Sequence, residues 1–198
     1  MPVVSLLLPV HNQADAVGPT AASILAQTLQ DWELLLVDDG STDHLPTVLA
    51  HFPDPRLRLI SRPHAGLARA LNRGLAQARG DYAGWCLPGD ILLPACLAAL
   101  HAALASRPDC GAVYADYQLV DADANPLTCA RVGPEAAGRP FAWGPAFLLR
   151  REVVDAVGPF REGQVGDPLA DYHRRVCGTA RPCRLPRVLY LSMGGRGA

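Results

Sequence analysis

The chain has 198 residues, of which 49% are hydrophobic and 19% are charged, and its formal net charge is -1 at pH 7. This composition predicts a globular domain with a sizeable core and excludes an intrinsically disordered chain. All 18 basic residues are arginine, which excludes a phosphate-loop, Schiff-base or catalytic lysine. The near-neutral charge argues against a nucleic-acid partner.

The six cysteines form no Cys-x-x-Cys pair, so a zinc site is not expected. No apolar run reaches the roughly 20 residues that span a bilayer. Met1 and Pro2 lead directly into an apolar segment, which is not the pattern of a signal peptide. We therefore expect a cytoplasmic protein without a transmembrane segment, whose thiols are free and mostly buried.

In chain order, apolar runs that indicate strands alternate with apolar residues at helical spacing. The first half contains predicted strands at 3–8, 32–37, 56–60 and 82–87, and predicted helices at 18–29, 67–78 and 94–104. The first helix is expected to start at Gly18 and Pro19, because proline is tolerated in a first turn. This alternation predicts an α/β fold with a mostly parallel sheet.

After residue 107 the pattern is less regular. It predicts a strand at 111–114, a turn at 121–125, a strand at 141–149 and a short helix at 151–157. We expect this half to extend the sheet, so that residues 1–198 form a single domain.

The first two predicted strands end in polar loops. Residues 9–12 follow the first strand, and Asp38 and Asp39 follow the second. In an open α/β sheet, ligands bind beyond the carboxyl ends of the strands. Two adjacent carboxylates repel each other unless a ligand or donor offsets their charge, so we interpret this pair as ligand-binding. Ser41 and Asp43 are better explained as residues that cap a turn and the next helix.

Several motifs, each weak alone, together resemble the glycosyltransferases of family 2, which have the GT-A fold. The motifs are Pro9-Val10-His11-Asn12, residues 23–28, 33–43, 66–75 and 78–82, Gly111-Ala112-Val113-Tyr114, and Arg150-Arg151 leading to Gly158-Pro159-Phe160. The resemblance runs from about residue 3 to about residue 190. It implies an enzyme that transfers a sugar from a nucleotide-diphosphate donor, expected to be a UDP-sugar, to an acceptor hydroxyl with inversion. Residues 1–107 would then form the nucleotide-binding half, and residues 108–198 the acceptor-side half.

The resemblance also implies roles at the first two strand ends. Pro9, Val10, His11 and Asn12 would flank the nucleoside together with Asp38 and Asp39. Asp39 would accept a hydrogen bond from the N3–H of uracil, since a carboxylate only accepts and the imide of uracil donates. His11 is either a ring that stacks on the base or a solvated loop residue.

The metal motif departs from the family. Relatives usually carry Asp-x-Asp, which holds Mg²⁺ or Mn²⁺, where this chain has Leu87 and Gly89. The adjacent Asp90 is either a weak metal ligand or the N-cap of the next helix. A divalent cation is therefore typical of the family but in doubt here. Without it, arginines of the second half would have to offset the charge of the leaving diphosphate.

Asp171 is the catalytic base that the resemblance implies, because relatives place this carboxylate soon after a Gly-x-Phe element. Ala170 stands where relatives have a preceding acid. Alternatively, Asp171 is a helix-start or ion-pair residue beside Arg174 and Arg175. Asp167 and His173 are the other candidates for the base.

Two other functions stay open at this point. The chain could bind a nucleotide sugar without transferring it, given the altered metal motif. It could also be a dinucleotide-binding oxidoreductase, although no Gly-x-Gly-x-x-Gly follows the first strand.

Overall fold

A computed structural model describes residues 2–121, 125–130 and 145–193. The strands are β1 (Val4–Val10), β2 (Trp32–Asp38), β3 (Leu57–Ser61), β4 (Tyr82–Trp85), β5 (Ile91–Leu92), β6 (Ala112–Val120), β7 (Pro126–Ala130), β8 (Phe147–Arg150) and β9 (Pro182–Met193). The helices are α1 (Ala14–Leu25), α2 (Leu45–Leu49), α3 (Leu67–Leu75), α4 (Cys96–Ala105), α5 (Arg151–Val157) and α6 (Pro168–Thr179).

All the described strands belong to one mixed sheet, in the order β3-β2-β1-β4-β8-β6-β9-β5, with β7 paired to β6. The first four strands in this order are parallel. The strand β8 is antiparallel to both β4 and β6, and β9 is parallel to β6. The prediction of an α/β fold with a largely parallel first half is therefore confirmed.

The core lies on both faces of the sheet, because side chains alternate along a strand. Leu6 and Leu8 of β1 pack on one face with Leu34 and Leu36 of β2. Leu7 lies on the other face, in a cluster that includes residues of α3 and α6. Burial on both faces explains why β1 and β2 are continuous apolar runs rather than alternating ones.

Gly74 brings α3 close to β1 and β2. A Cβ atom at Gly74 would lie 2.6 Å from Cδ2 of Leu7 and 3.2 Å from Cγ2 of Val37. Only glycine permits such an approach without displacing these core side chains. The helix α3 is thereby held against the carboxyl-terminal halves of the two strands that end at the candidate site.

The start of α1 differs from the prediction. The helix begins at Ala14, and Pro19 lies inside it rather than in its first turn. The carboxylate of Asp43 caps this earlier start by accepting from the Ala14 amide, with an N···O distance of 2.9 Å. Pro19 offers no amide to the carbonyl of Asp15, but both residues are exposed, so water can satisfy that carbonyl.

Other boundaries also shift. The strand expected at 82–87 ends at Trp85, and the helix expected from residue 94 begins at Cys96. The strand expected at 141–149 is described only as β8, since residues 141–144 lie outside the described residues. Sequence periodicity does not single out α2, β5, β7, α6 or β9, which the structure contains.

Cys110 and Cys183 form a disulfide that links the segment before β6 to β9. Their Cα atoms are 5.9 Å apart, which lies within the usual range. The expectation that all thiols are free is therefore wrong for this pair, because the parallel pairing of β6 with β9 brings together two residues 73 positions apart. The cytoplasmic location, which was expected together with free thiols, stays a prediction.

None of the helices in the described part of the chain is long and apolar enough to cross a membrane.

Candidate nucleotide-binding site

A cavity of about 260 Å³ lies just beyond the carboxyl ends of β1 and β2. It is lined by Pro9, Val10, His11, Gln13, Asp39, His64, Leu67, Ala70 and Leu87. The end of the sheet that was expected to bind a ligand thus has a pocket, which the strand-end loops and α3 enclose. Four of the predicted nucleotide-binding residues, Pro9, Val10, His11 and Asp39, contribute to its wall.

Asp39 is the charged residue of this cavity and is only 3% exposed. Its two carboxylate oxygens accept from four donors of the chain. The amides of Ala65 and Gly66 lie at 2.9 and 2.7 Å, Nδ1 of His64 at 2.9 Å and Nη1 of Arg73 at 3.4 Å. A carboxylate has about four acceptor positions, so the chain itself satisfies this buried charge.

Two histidines stack at the cavity wall. The ring centroids of His11 and His64 are 4.1 Å apart, with an interplanar angle of 31°. Nδ1 of each ring lies within hydrogen-bond distance of the Asp39 carbonyl, at 2.9 Å for His11 and 3.2 Å for His64. Because a carbonyl only accepts, Nδ1 of both rings carries the proton. One ring face of His11 thus lies against His64.

Asn12 and Asp38 organise the neighbouring turn. Asn12 has a positive φ of 51°, and its Oδ1 accepts from the Thr42 amide at 2.8 Å. Oδ1 of Asp38 accepts from the Ser41 amide at 2.8 Å. Neither residue is among those that line the cavity. Asn12 links the loops after β1 and β2, whereas Asp38 closes the turn after β2. Contact of either residue with a nucleotide stays a prediction.

Asp43 has the capping role expected of it, whereas the Ser41 side chain contacts the loop after β1. The Ser41 hydroxyl accepts from the Asn12 amide at 3.1 Å. The Asp43 carboxylate accepts from the amides of Ala14 and Leu45, at the starts of α1 and α2.

The loop after β4 contributes Leu87 to the cavity but holds Asp90 inward. Asp90 is 3% exposed, and its oxygens accept from the Leu87 amide at 2.8 Å and the Ser192 hydroxyl at 3.2 Å. The alternative of a helix cap is wrong, because Ala95 is the N-cap of α4. Asp90 instead closes the turn around Gly89, whose φ of 89° favours glycine.

This surrounding does not fit a divalent cation. Burial, followed by the Asp90 carboxylate, raises the pKa of Tyr190 well above its ordinary value, so that side chain stays a neutral phenol beside Asp90. In the described part of the chain, no three His, Cys, Asp or Glu side chains are grouped so that they could hold a metal. A hard cation needs several oxygen ligands. Even with the oxygens of a bound diphosphate and of water, this loop would supply one carboxylate, and that carboxylate is already hydrogen-bonded within its own turn.

Asp171, the predicted base, lies in the first turn of α6 and is 5% exposed. Oδ1 is 3.3 Å from Nη1 of Arg161 and 3.7 Å from Nη1 of Arg174, and Oδ2 is 3.1 Å from Nε of Arg175. The expected ion pairs with Arg174 and Arg175 are therefore present. Three guanidinium groups fix the orientation of the carboxylate and leave about one acceptor position for another donor.

Asp171 does not line the cavity, but contacts connect the two. Leu67 and Ala70 of α3 form the cavity wall, and Asn72 of the same helix exchanges hydrogen bonds with the backbone of Phe160 at 2.7 and 3.0 Å. Phe160 in turn stacks on Tyr172, with a centroid distance of 4.1 Å. This chain of contacts fixes α6, and hence Asp171, relative to the cavity.

The other two candidates for the base, Asp167 and His173, make contacts that stabilise the fold. Asp167 is the N-cap of α6 and accepts from the Leu169 amide at 2.8 Å. His173 is 6% exposed and stacks on Trp85 with a centroid distance of 5.6 Å.

Sequence reasoning does not single out His64 or Arg73, although both contact Asp39. The available signal for Arg73 was helical spacing, because Leu67, Ala70 and Arg73 recur every three residues and share one face of α3. His64 gave no comparable signal, since it lies in the irregular loop before α3.

Comparison with known proteins identifies the family. Residues 5–158 match the model of glycosyl transferase family 2. The chain belongs to this family. The O-antigen biosynthesis protein RfbC of Myxococcus xanthus is 36% identical over 181 residues, which cover 82% of this chain and 13% of RfbC. Chondroitin synthase of Pasteurella multocida is 35% identical over 96 residues, which cover 48% of this chain and 10% of the synthase. The chain thus spans a small part of the length of these relatives.

Solved structures of glycosyltransferases have the same fold. S. aureus TarS 1–349 in complex with UDP-GlcNAc has a TM-score of 0.84 at 16% identity, and the match covers 100% of this chain and 60% of that chain. The mannosyltransferase PcManGT from Pyrobaculum calidifontis, in complex with GDP-Man and Mn²⁺, has a TM-score of 0.76 at 21% identity, covering 98% and 58%. The predicted GT-A fold is confirmed, and the oxidoreductase alternative has no support from these comparisons.

Proposed function

We propose that this family 2 glycosyltransferase transfers a sugar from a UDP-sugar donor to an acceptor hydroxyl with inversion at the anomeric carbon. The observation that carries the proposal is the cavity at the ends of β1 and β2, with a buried carboxylate, Asp39, in its wall. A TarS structure of the same fold holds UDP-GlcNAc. The PcManGT structure holds GDP-Man, and a carboxylate would accept from the ring N–H of guanine as well as from that of uracil. The choice of uracil therefore rests on the role that the family resemblance implies for Asp39.

In this proposal, the apolar wall from Pro9, Val10 and Leu67 packs against the nucleoside, and His11 presents its open ring face to the base. The imide N3–H of uracil donates to Asp39 and takes the place of the longest existing contact, that of Arg73 at 3.4 Å. Arg73 of α3 contacts Asp39, and Arg69 of the same helix pairs with Glu162. In this proposal these two arginines, rather than those of the second half that the sequence suggested, balance the charge on the departing diphosphate.

Asp171 acts as the base. Its remaining acceptor position takes the proton of the acceptor hydroxyl as that oxygen attacks the anomeric carbon from the face opposite the diphosphate. The three arginines hold the carboxylate in one orientation, which favours proton transfer from a correctly placed hydroxyl. No step of this mechanism is assigned to a metal, since the described residues do not fit one.

The test is isothermal titration calorimetry with UDP, GDP, CDP and dTDP, followed by an assay for UDP release from a panel of UDP-sugars with sugar acceptors. We expect UDP to bind more tightly than the other diphosphates and at least one UDP-sugar to be turned over. Preference for GDP would overturn the choice of uracil. Absence of binding by any nucleotide would overturn the proposed function.

A second function is favoured by a specific observation, the occupied surroundings of Asp90. If the family reaction needs a metal and this loop cannot hold one, the chain would bind nucleotide sugars without transferring them. UDP binding without turnover of any UDP-sugar in the same experiment, with or without added Mn²⁺, would support this alternative.

A further inference from the structure

The two oxygens of the Asp39 carboxylate are not equally occupied. Oδ2 has two close partners, the Gly66 amide at 2.7 Å and Nδ1 of His64 at 2.9 Å. Oδ1 has one close partner, the Ala65 amide at 2.9 Å, and one distant partner, Nη1 of Arg73 at 3.4 Å. Because a carboxylate oxygen has two acceptor positions, both positions of Oδ2 are used, whereas one position of Oδ1 is only weakly held.

Arg73 is the partner that a ligand can displace. Its Nη1 lies 3.4 Å from Oδ1 of Asp39 and 3.4 Å from the carbonyl oxygen of Pro63, which is long for either hydrogen bond. The side chain is 26% exposed, so the guanidinium can turn towards water or a ligand phosphate. The carboxylate therefore offers a ligand one acceptor position, on Oδ1.

The backbone around His64 fixes the place of its ring. Gly40 has a φ of 77°, and a Cβ atom there would lie 2.6 Å from the His64 amide nitrogen. The imidazole lines the cavity and stacks on His11. Ala65 and Gly66 contact the carboxylate through their backbone amides. Removal of the imidazole would therefore open one side of Oδ2 and leave these two contacts in place.

Nucleobases differ in how many adjacent donors they present to a carboxylate. Uracil presents one, the N3–H, which lies between two carbonyl groups. Guanine presents two, the N1–H and the exocyclic 2-amino group, side by side. A carboxylate with both oxygens open would bind guanine through two parallel hydrogen bonds, as it binds a guanidinium.

We propose that His64 selects uracil over guanine by occupying Oδ2 of Asp39. This inference deepens the proposed function and rests on it. With the N1–H of guanine on Oδ1, the 2-amino group would face the N–H of His64 instead of an open acceptor. Two donors would then oppose each other, which lowers the affinity. Uracil places a carbonyl oxygen there and avoids the conflict.

The experiment compares GDP with inosine diphosphate (IDP), because these two ligands differ only in the 2-amino group. Calorimetry gives the Kd of each for the wild type and for His64→Ala, after UDP has been titrated. In the wild type, GDP should bind more weakly than IDP. GDP should bind His64→Ala at least ~10-fold more tightly than the wild type, since the 2-amino group gains a carboxylate acceptor. The Kd for IDP should change little, because IDP presents one donor.

Two further variants separate this contact from effects on the fold. His64→Asn keeps an N–H group near the place of Nδ1, so GDP should bind it about as weakly as the wild type. The matched control is His51→Ala. His51 is also exposed, and its Nδ1 lies 3.0 Å from the Thr47 carbonyl oxygen, but it does not line the cavity. This variant should bind all three nucleotides like the wild type, and thermal unfolding checks that each variant is folded.

Equal changes of the Kd for GDP and IDP in His64→Ala, or no gain for GDP, would overturn the role of His64. Binding of GDP to the wild type more tightly than IDP would also overturn it, because the 2-amino group would then already have an acceptor. Failure of UDP to bind, measured first, would count against the proposed function, whereas the ratio of the GDP and IDP affinities tests His64 alone.

Discussion

Asp39 combines a structural and a proposed recognition role in one side chain. Its carboxylate satisfies the amides of Ala65 and Gly66 at the start of α3, which places that helix against the cavity. Removing the whole side chain would leave buried amides without partners and would disturb the fold as well as the site. A substitution that keeps the shape is therefore the more informative test.

We predict that Asp39→Asn changes which base is preferred. Uracil presents an N3–H donor, whereas cytosine presents an N3 acceptor, and the amide group of asparagine can donate where the carboxylate only accepted. The Kd for UDP should rise ~10-fold or more, and the ratio of CDP to UDP affinity should increase. Calorimetric titration of both nucleotides measures this change.

Asp38→Asn is the matched control, since Asp38 bonds to the Ser41 amide and does not line the cavity. A loss of UDP and CDP affinity by the same factor in Asp39→Asn would indicate a structural effect only. An equal change of preference in Asp38→Asn would assign base recognition to the neighbouring residue.

We predict that Asp171→Asn lowers kcat ~10²-fold or more and changes the Kd for UDP little, because the variant keeps the shape of the side chain and loses its basicity. Arg161 and Arg175 contact different oxygens of Asp171, so the single amide oxygen of asparagine can keep one of these two contacts. UDP release from a turned-over UDP-sugar gives kcat, and calorimetry gives the Kd. Turnover near that of the wild type would move the base to Asp167 or His173.

At the scale of single residues, the sequence predicts where a side chain lies better than it predicts which groups hydrogen-bond to it. The placement of Asp39 at a strand end was predictable because a buried apolar run must stop where polar residues begin. Its four donors come from residues 64–73, across a loop and a helix, and their convergence depends on how closely Gly74 lets α3 approach the sheet. A local sequence pattern does not predict the distance between α3 and the sheet.

Among the elements, β2 is tied to its neighbours by one buried acid. Glu33 is 4% exposed, and its carboxylate accepts from the Ser5 hydroxyl at 2.7 Å, the Arg79 amide at 2.7 Å and Nη1 of Arg58 at 2.8 Å. Burial raises the pKa of Glu33, but the hydrogen bonds from Ser5, Arg79 and Arg58 outweigh it, and the pKa is lower than the ordinary value.

We predict that this network makes stability fall in acid. A pKa that is lower in the folded state contributes stability above the unfolded-state value of roughly 4.3, and this contribution is lost as the pH falls through the folded-state value. Glu33→Gln should lower the free energy of unfolding by ~1 to 3 kcal/mol at pH 7. The difference from the wild type should shrink below about pH 4.

Urea unfolding at a series of pH values measures this difference, with Glu152→Gln as the control. Glu152 lies exposed on α5, and its substitution should leave the free energy of unfolding nearly unchanged at every pH. A Glu33→Gln deficit that stays constant down to pH 3 would contradict the pKa argument.

Elements with strong periodicity were predictable, and those set by tertiary contacts were not. The strands β1 and β2 follow from their apolar runs. The start of α1 depends on Asp43, a residue 29 positions away, and α6 is fixed by its packing on Trp85 and Phe160. The long β9 was missed because its residues 182–188 are mostly partly or fully exposed, so they lack an apolar run.

For the whole molecule, we predict that nucleotide binding is nearly independent of divalent ions. The side chain of Asp90 is engaged in its own turn, and Leu87 and Gly89 offer no side-chain oxygen. Chelation by EDTA should change the Kd for UDP by less than about threefold. Calorimetry in EDTA and in Mn²⁺ compares the two states.

Asp90→Asn separates a metal role from a structural one. If EDTA abolished UDP binding in the wild type and Asp90→Asn reproduced that loss in the presence of Mn²⁺, Asp90 would be a metal ligand and the prediction would be wrong. If the variant lowers the unfolding temperature while UDP binding persists, Asp90 acts on the turn alone.

The fold of the whole molecule was predictable because strand and helix alternation, together with the family motifs, specifies the arrangement of the first half. The strand order of the second half was not predictable. It inserts β8 antiparallel between β4 and β6 and adds β9 at the far side of β6. These pairings join residues distant in sequence, and such contacts leave no trace in composition or periodicity.

The disulfide between Cys110 and Cys183 gives the second half the connectivity of a closed ring, which contains β6, α5 and α6. Within that ring, the segment between Gly163 and Gly166 exposes Val165 almost completely, at 98%. A protease that cleaves there would cut the backbone without releasing a fragment. On a denaturing gel, the nicked wild-type protein should give one band without reductant and two bands after reduction. The nicked Cys183→Ser variant, which lacks the disulfide, should give two bands under both conditions.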